Sequence, residues 1–344
     1  MLNLLLSCAL FVATVGAQTT ENQSSDKVEV SEKWAVSEAL DSLLVDYLSV
    51  INPDSIGSYM SQLVGFKTRF MLAENRRDIA VWIEKRFREF GLTDVVVDSF
   101  QNTLEYPPRS GQLHTTWQYN VVAALKGTEC PDTVFVLGAH DDSFIMGPQV
   151  DPYTYSPGAN NNASGVAVCL EIARVMVQKG FKPRCTINFV GFGAEEFMTM
   201  LADGVTGSQH YINRIRESGR TVGLMIDNNQ ISYRPSNDNW ELDFQNCPGS
   251  QWVTDLAHGL CEKYTKIVPV DTNDHINYTD AYYFWSAGYP TIFFEEFHFC
   301  PHTFTDKDIP ENCDPVYCAE VAKISCAMLL YSNHSASTDS EETE

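Results

Sequence analysis

The chain has 344 residues, 44% of them hydrophobic and 12% aromatic, with a formal net charge of −22. That length and composition suit one large α/β domain or two ordinary ones. The acidic balance argues against nucleic acid or an anionic membrane surface as partner, because both need basic surface.

Residues 1–17 are a short start followed by an apolar run ending in Val15-Gly16-Ala17, ahead of Gln18. Small residues at those spacings are what a signal peptidase accepts, so a secreted, extracellular protein is expected. The run is too short to span a bilayer, and no later segment approaches about 18 consecutive apolar residues, so no membrane span is expected. Residues 18–32 are polar and aperiodic, and 18–50 read as a disordered start or pro-segment. The folded domain is expected over 51–332, followed by an acidic tail over 333–344.

Between these ends, strand-like and helix-like runs alternate. Residues 77–90 carry apolar side chains at helical spacing and stop at Gly91. Residues 95–100, 120–125 and 133–139 are β-rich runs between turn residues. A helix is expected over 165–179, a buried strand over 185–192 and a helix over 208–217. Short central strands follow at 224–226 and 291–294, then a closing helix over 316–331. Such alternation implies a mostly parallel sheet with helices on both faces, and ligands gather beyond the carboxyl ends of its strands.

Ten cysteines are present, Cys8 inside the signal. An oxidising compartment should pair some of them. Cys300, Cys313 and Cys318 lie in a Pro/Asp/Asn-rich loop, where a disulfide is expected, whereas Cys169 and Cys185 read as core residues. Sequons at Asn22, Asn277 and Asn333 suit a secreted glycoprotein. A fourth, at Asn162, falls where a glycan would be awkward.

The residues that could carry chemistry follow the strands. After 133–139 comes His140-Asp141-Asp142-Ser143. A His there can bind metal through one ring nitrogen while Asp142 holds the other. After 185–192 comes Ala194-Glu195-Glu196. Two adjacent carboxylates repel unless something cationic holds them, and in peptidases one activates water while the other binds metal. Pro157-Gly158-Ala159-Asn160-Asn161-Asn162-Ala163-Ser164-Gly165 is a turn-rich loop feeding a helix. Cys300-Pro301-His302-Thr303-Phe304-Thr305-Asp306 places a second His beyond a late strand.

In this order the pieces resemble the co-catalytic zinc aminopeptidases, a family with bacterial and fungal leucine aminopeptidases, plasma glutamate carboxypeptidase and the transferrin-receptor ectodomain. The matching motifs are Ala139 to Ser143, Pro157 to Gly165, Phe192 to Glu196 and Gly207-Ser208-Gln209-His210-Tyr211. They continue through Asp280, Gly288-Tyr289-Pro290 and His302 to Asp306, and the likeness covers roughly residues 55–332. It implies a three-layer αβα sandwich on a mixed, mostly parallel sheet of about eight strands. It also implies a secreted metallopeptidase acting on peptides through metal-activated water, with one or two zinc ions as cofactor. By the same resemblance Glu195 is the base and Asp142 orients His140. Metal-ligand positions fall on His140, Asn161, Glu196, His302 and either Asn228, Asn229 or, with a small slip, Asp227, with Asp280 supporting them from behind.

Here the chain departs from the pattern. The carboxylate that bridges the metals in the family is Asn161, and spacing from Met225-Ile226 puts Asn229 at a second acidic position. Two zinc ions bring four positive charges, and neutral amides are poor zinc ligands. The alternative reading is therefore a catalytically silent relative, a binding, matrix or scaffolding protein whose partner is a protein ligand rather than a peptide substrate.

Overall fold

The structure is a computed structural model that describes residues 36–147, 151–235 and 240–335. The expected signal, most of the polar start and most of the acidic tail lie outside the described residues.

The helices are α1 (Glu38–Leu48), α2 (Pro53–Val64), α3 (Arg76–Phe90), α4 (Ser164–Gln178), α5 (Gly207–Glu217), α6 (Gln251–Tyr264), α7 (Ala281–Trp285) and α8 (Pro315–Ser335). The strands are β1 (Asp94–Glu105), β2 (Leu113–Leu125), β3 (Cys130–His140), β4 (Cys185–Phe192), β5 (Leu201–Gly204), β6 (Thr221–Asn228), β7 (Glu241–Gln245), β8 (Val268–Thr272) and β9 (Thr291–Glu296). They form one sheet of nine strands in the order β5-β1-β2-β4-β3-β6-β9-β7-β8. The central β4-β3-β6-β9 set is parallel, and antiparallel pairs flank it on both sides. The sequence-based αβα architecture holds, with one strand more than the eight expected.

Burial explains the centre. Every residue of β4 and β9 is buried, as befits strands covered by helices on both faces. Helices α2, α4 and α8 pack on one face with α1 and α3. On the other, α5 and α7 close over Val134, Val136, Val190, Phe192, Val222 and Met225. Tyr211, Ile212 and Ile215 from α5 and Phe284 from α7 complete that core. Of the aromatic run 282–285 only Phe284 is fully buried.

Three expectations need correction. The segment to residue 50 is not wholly a loose start. Ser37 caps α1, whose Leu40, Leu44, Tyr47 and Leu48 form a helical stripe buried in the domain. Cys185 is not a plain core thiol but bridges Cys130, because the two stand opposite each other at the beginnings of β3 and β4. Cys300, Cys313 and Cys318 are free, the latter two turned toward the carbonyls of Ile309 and Ser164. Among the sequons, Asn277 is exposed, whereas Asn333 is buried and accepts from the Cys185 N–H, which leaves no room for a glycan.

The start of α4 is tight. A Cβ on Gly165 would stand 2.2 Å from the Asn228 carbonyl and 2.6 Å from Asn162 Oδ1. Backbone cannot yield as a side chain would, so Gly165→Ala is expected to destabilise by about 3 kcal/mol, the upper range for overpacking. A denaturant midpoint unchanged from wild type would contradict this.

Candidate active site

Strand ends bring the predicted residues together. His140 closes β3, Asn229 follows β6, and Glu195 and Glu196 sit in the turn after β4. Asp142 holds that turn, its Oδ1 accepting from the Glu195 N–H at 3.0 Å and its Oδ2 from the Glu196 N–H at 3.2 Å. Asp142 also faces His140, its carbonyl 3.1 Å and its Oδ1 3.4 Å from Nδ1.

The other ring nitrogen of His140 lies 3.1 Å from Asn161 Oδ1, 3.2 Å from Asn229 Oδ1 and 3.8 Å from Glu195 Oε2. On its other side, the Asn161 amide donates to Glu196 Oε1 at 2.7 Å. Asn161 thus links histidine to glutamate through one neutral group. Of this cluster only Glu196 is half-exposed; His140, Asp142, Asn161, Glu195 and Asn229 are buried.

Oxygens face both ring nitrogens, so the charge around the ring decides its protonation. Burial by itself would discharge His140. The carboxylates of Glu195, Asp142 and Glu196 outweigh it and hold the imidazolium well above its ordinary value. Burial pushes Glu196 up to about 8 and Glu195 well above the usual carboxylate range, each partly opposed by the His140 charge.

Asp227 and Asn229, both weighed at the second acidic position, separate clearly. Asn229 faces His140. Asp227 instead accepts from the Ala281 N–H at 3.0 Å, at the start of α7. Asp280 lies behind it. Burial, reinforced by Asp227, raises the Asp280 carboxyl well above the ordinary range, with the His140 charge opposing it. His302 lies on the segment after β9, its carbonyl accepting from Thr305. Burial raises the Asp308 carboxyl, and the Asn160 and Asn161 N–H groups, then Arg69 and last His302, oppose it.

Three participants were not singled out from sequence. Arg69 is buried, with Nε to the Asp141 carbonyl at 2.8 Å and its terminal nitrogens to those of Pro157 and Gly158 at 2.6 and 2.7 Å. It ties the β3 end to the asparagine loop. Arg69→Met would leave three buried acceptors bare, and loss of about 3–5 kcal/mol is expected by urea denaturation. Lysine cannot span the fork and should recover less than half of that. The other two are Glu296 and Asp308. A signal for Glu296 existed, since Glu295-Glu296 ends β9 as an acidic pair.

The residues present do not fit a two-zinc centre. The oxygens nearest His140 Nε2, at 3.1 and 3.2 Å, are those of Asn161 and Asn229, neutral amides where two zinc ions need carboxylate charge. The bridging position is an amide engaged on both sides. Among the described residues, no group of three or more His, Cys, Asp and Glu side chains is placed to hold a metal ion.

Comparison with known proteins places this arrangement. The sequence profile of peptidase family M28 matches residues 120–329. A probable zinc metalloprotease from Pyrenophora tritici-repentis is 31% identical over 207 residues, 57% of this chain and 45% of that one. Leucine aminopeptidase 1 from Ajellomyces capsulatus is 27% identical over 201 residues, 56% and 46% of the two chains. The chain thus spans less than half the length of these curated relatives. The LapA aminopeptidase of Legionella pneumophila superimposes with a TM-score of 0.69 at 19% identity, covering 94% of this chain and 80% of that one, a likeness of fold. With the M28 profile covering most of the chain and the aminopeptidase fold spanning nearly all of it, the chain belongs to peptidase family M28.

Proposed function

We propose that this chain is a secreted, peptide-binding member of its family whose cleft holds a free amino terminus without running two-metal hydrolysis. The observation that carries this is the Asn161 amide, bonded to His140 on one side and to Glu196 on the other. Glu196 is the most exposed member of the cluster. Glu196, with Glu195 and Asp142 behind it, would pair with an ammonium group, whose charge favours their ionised forms. With a neutral amide at the bridging position, the cluster lacks the charge that would hold two metal ions beside an attacking water. Secretion is supported by the apolar N-terminal run and by the Cys130–Cys185 disulfide, which suits an oxidising compartment.

A second reading is a one-zinc peptidase, favoured by the adjacent Glu195 and Glu196 at a strand end. Titration calorimetry on metal-stripped protein separates the two. The peptide-binding reading expects a free-amine peptide to bind at least tenfold more tightly than its acetylated form, with no stoichiometric zinc. One zinc per chain with cleavage of an aminoacyl-arylamide establishes the second reading instead. Two tightly held zinc ions would sink the first outright.

A further inference from the structure

The three consecutive asparagines of the loop have separate tasks. Asn162 serves the fold: its Oδ1 accepts the Gly165 N–H at 2.9 Å and its amide donates to the Asn228 carbonyl at 2.8 Å. Asn161 lies in the cleft. Asn160 touches neither and is fully buried.

Its side-chain amide donates to Glu296 Oε1 and Oε2 at 3.0 and 2.9 Å, and its Oδ1 accepts the Ser232 N–H at 2.8 Å. Its backbone N–H donates to Asp308 Oδ1 at 2.7 Å, and the next N–H, that of Asn161, to Asp308 Oδ2 at 3.0 Å. The Asp308 carbonyl accepts from Ala159 at 2.9 Å, and Glu296 Oε1 takes the Cys300 N–H at 2.7 Å. Glu296 is the last residue of β9. Between it and Asp308 runs the irregular segment that bears His302, outside any strand or helix. Two buried carboxylates, one at each end of that strap, therefore close on the same asparagine.

We propose that Asn160 is the fastening point of this strap, with Glu296 and Asp308 as positioning residues that set where His302 stands. The residue type follows from the contacts. Residue 160 must donate toward Glu296 and accept from Ser232 with one short planar side chain, which an amide does. Apolar residues would leave a buried carboxylate and a buried N–H bare. The asparagine at 160 is thus explained by Glu296 and is not, as at 161, a change in the cleft itself. The inference holds whether or not the cleft binds metal or peptide.

A donor–acceptor swap tests it. In Glu296→Gln the new amide faces either the Asn160 amide or the Cys300 N–H, donor against donor. The imidazole resonances of His302 should shift, and hydrogen exchange at Asn160, Asn161 and Cys300 should accelerate at least tenfold. Adding Asn160→Asp reverses the polarity: the amide introduced at 296 can donate to the carboxylate introduced at 160, while its own oxygen keeps the Cys300 N–H. Both readouts should then return toward wild type. Glu320→Gln serves as control: it disturbs a buried acid on α8 that accepts from Lys266, and it should leave His302 unmoved. Unchanged His302 signals in Glu296→Gln, equal movement in the control, or no recovery in the double variant would each overturn the proposal. Should Glu296→Gln fail to fold, exchange in the wild type decides. Amides of Asn160, Asn161 and Cys300 as slow as those of β3 support fastening, and rates like those of exposed loops refute it.

Discussion

Asn161→Asp is expected to raise zinc affinity by about a thousandfold while barely changing the stability of the metal-free protein. The two effects have separate causes. A carboxylate at 161 would face Glu196, 2.7 Å from the present amide nitrogen, and the His140 imidazolium, 3.1 Å from the present oxygen. Repulsion from the first and attraction to the second largely cancel, so metal-free stability should move by less than about 1 kcal/mol. Zinc meets a different balance. A new unit charge about 4 Å from a divalent cation contributes on the order of 8 kcal/mol at an effective dielectric constant of 20, and desolvation takes back about half, leaving roughly three powers of ten in affinity. His140 must release its Nε2 proton to bind metal, so the calorimetric enthalpy should depend on the ionisation heat of the buffer. Asn229→Asp, added on top, supplies a second carboxylate on the opposite side of the same nitrogen and should raise affinity further. If Asn161→Asp binds zinc no more tightly than wild type, the amide at 161 is not what distinguishes this cleft.

Removing the Cys130–Cys185 disulfide should cost about 4 kcal/mol. The bridge closes a loop with a sequence separation of 55, and chain entropy in the unfolded state gives roughly that figure for a loop of such size. In a domain this large it corresponds to a melting shift of roughly 6 °C. The loop it closes contains His140, the asparagines and α4, so the loss falls on the part of the chain that builds the cleft. Cys130→Ala/Cys185→Ala should melt lower than wild type, and a reductant should lower the wild type to meet it while leaving the variant unmoved. A variant that melts with the wild type would show that the two strand starts are held by the β3–β4 ladder alone.

The sequence by itself determined the family, the layered architecture and the chain order of the site. These are local properties. Alternation of strand and helix is written in apolar periodicity, and His140, Glu195, Glu196 and His302 each follow a strand or precede a helix that sequence can locate. It also showed that residue 161 is an amide where a carboxylate was expected. What that amide does could be decided only in three dimensions, because it depends on partners from other strands: His140 from β3 and Glu196 from the turn after β4. The same holds for the choice between Asp227 and Asn229. Sequence spacing leaves them two residues apart, but Asp227 lies within β6 and meets the Ala281 N–H, whereas Asn229 lies past the strand's end and meets His140. Arg69, Glu296 and Asp308 were hidden for the same reason, since their bonds reach across 72 to 148 residues of chain. Long-range polar contacts leave no period in a sequence; only the packed sheet, which brings distant strand ends to one edge, gives those residues their partners.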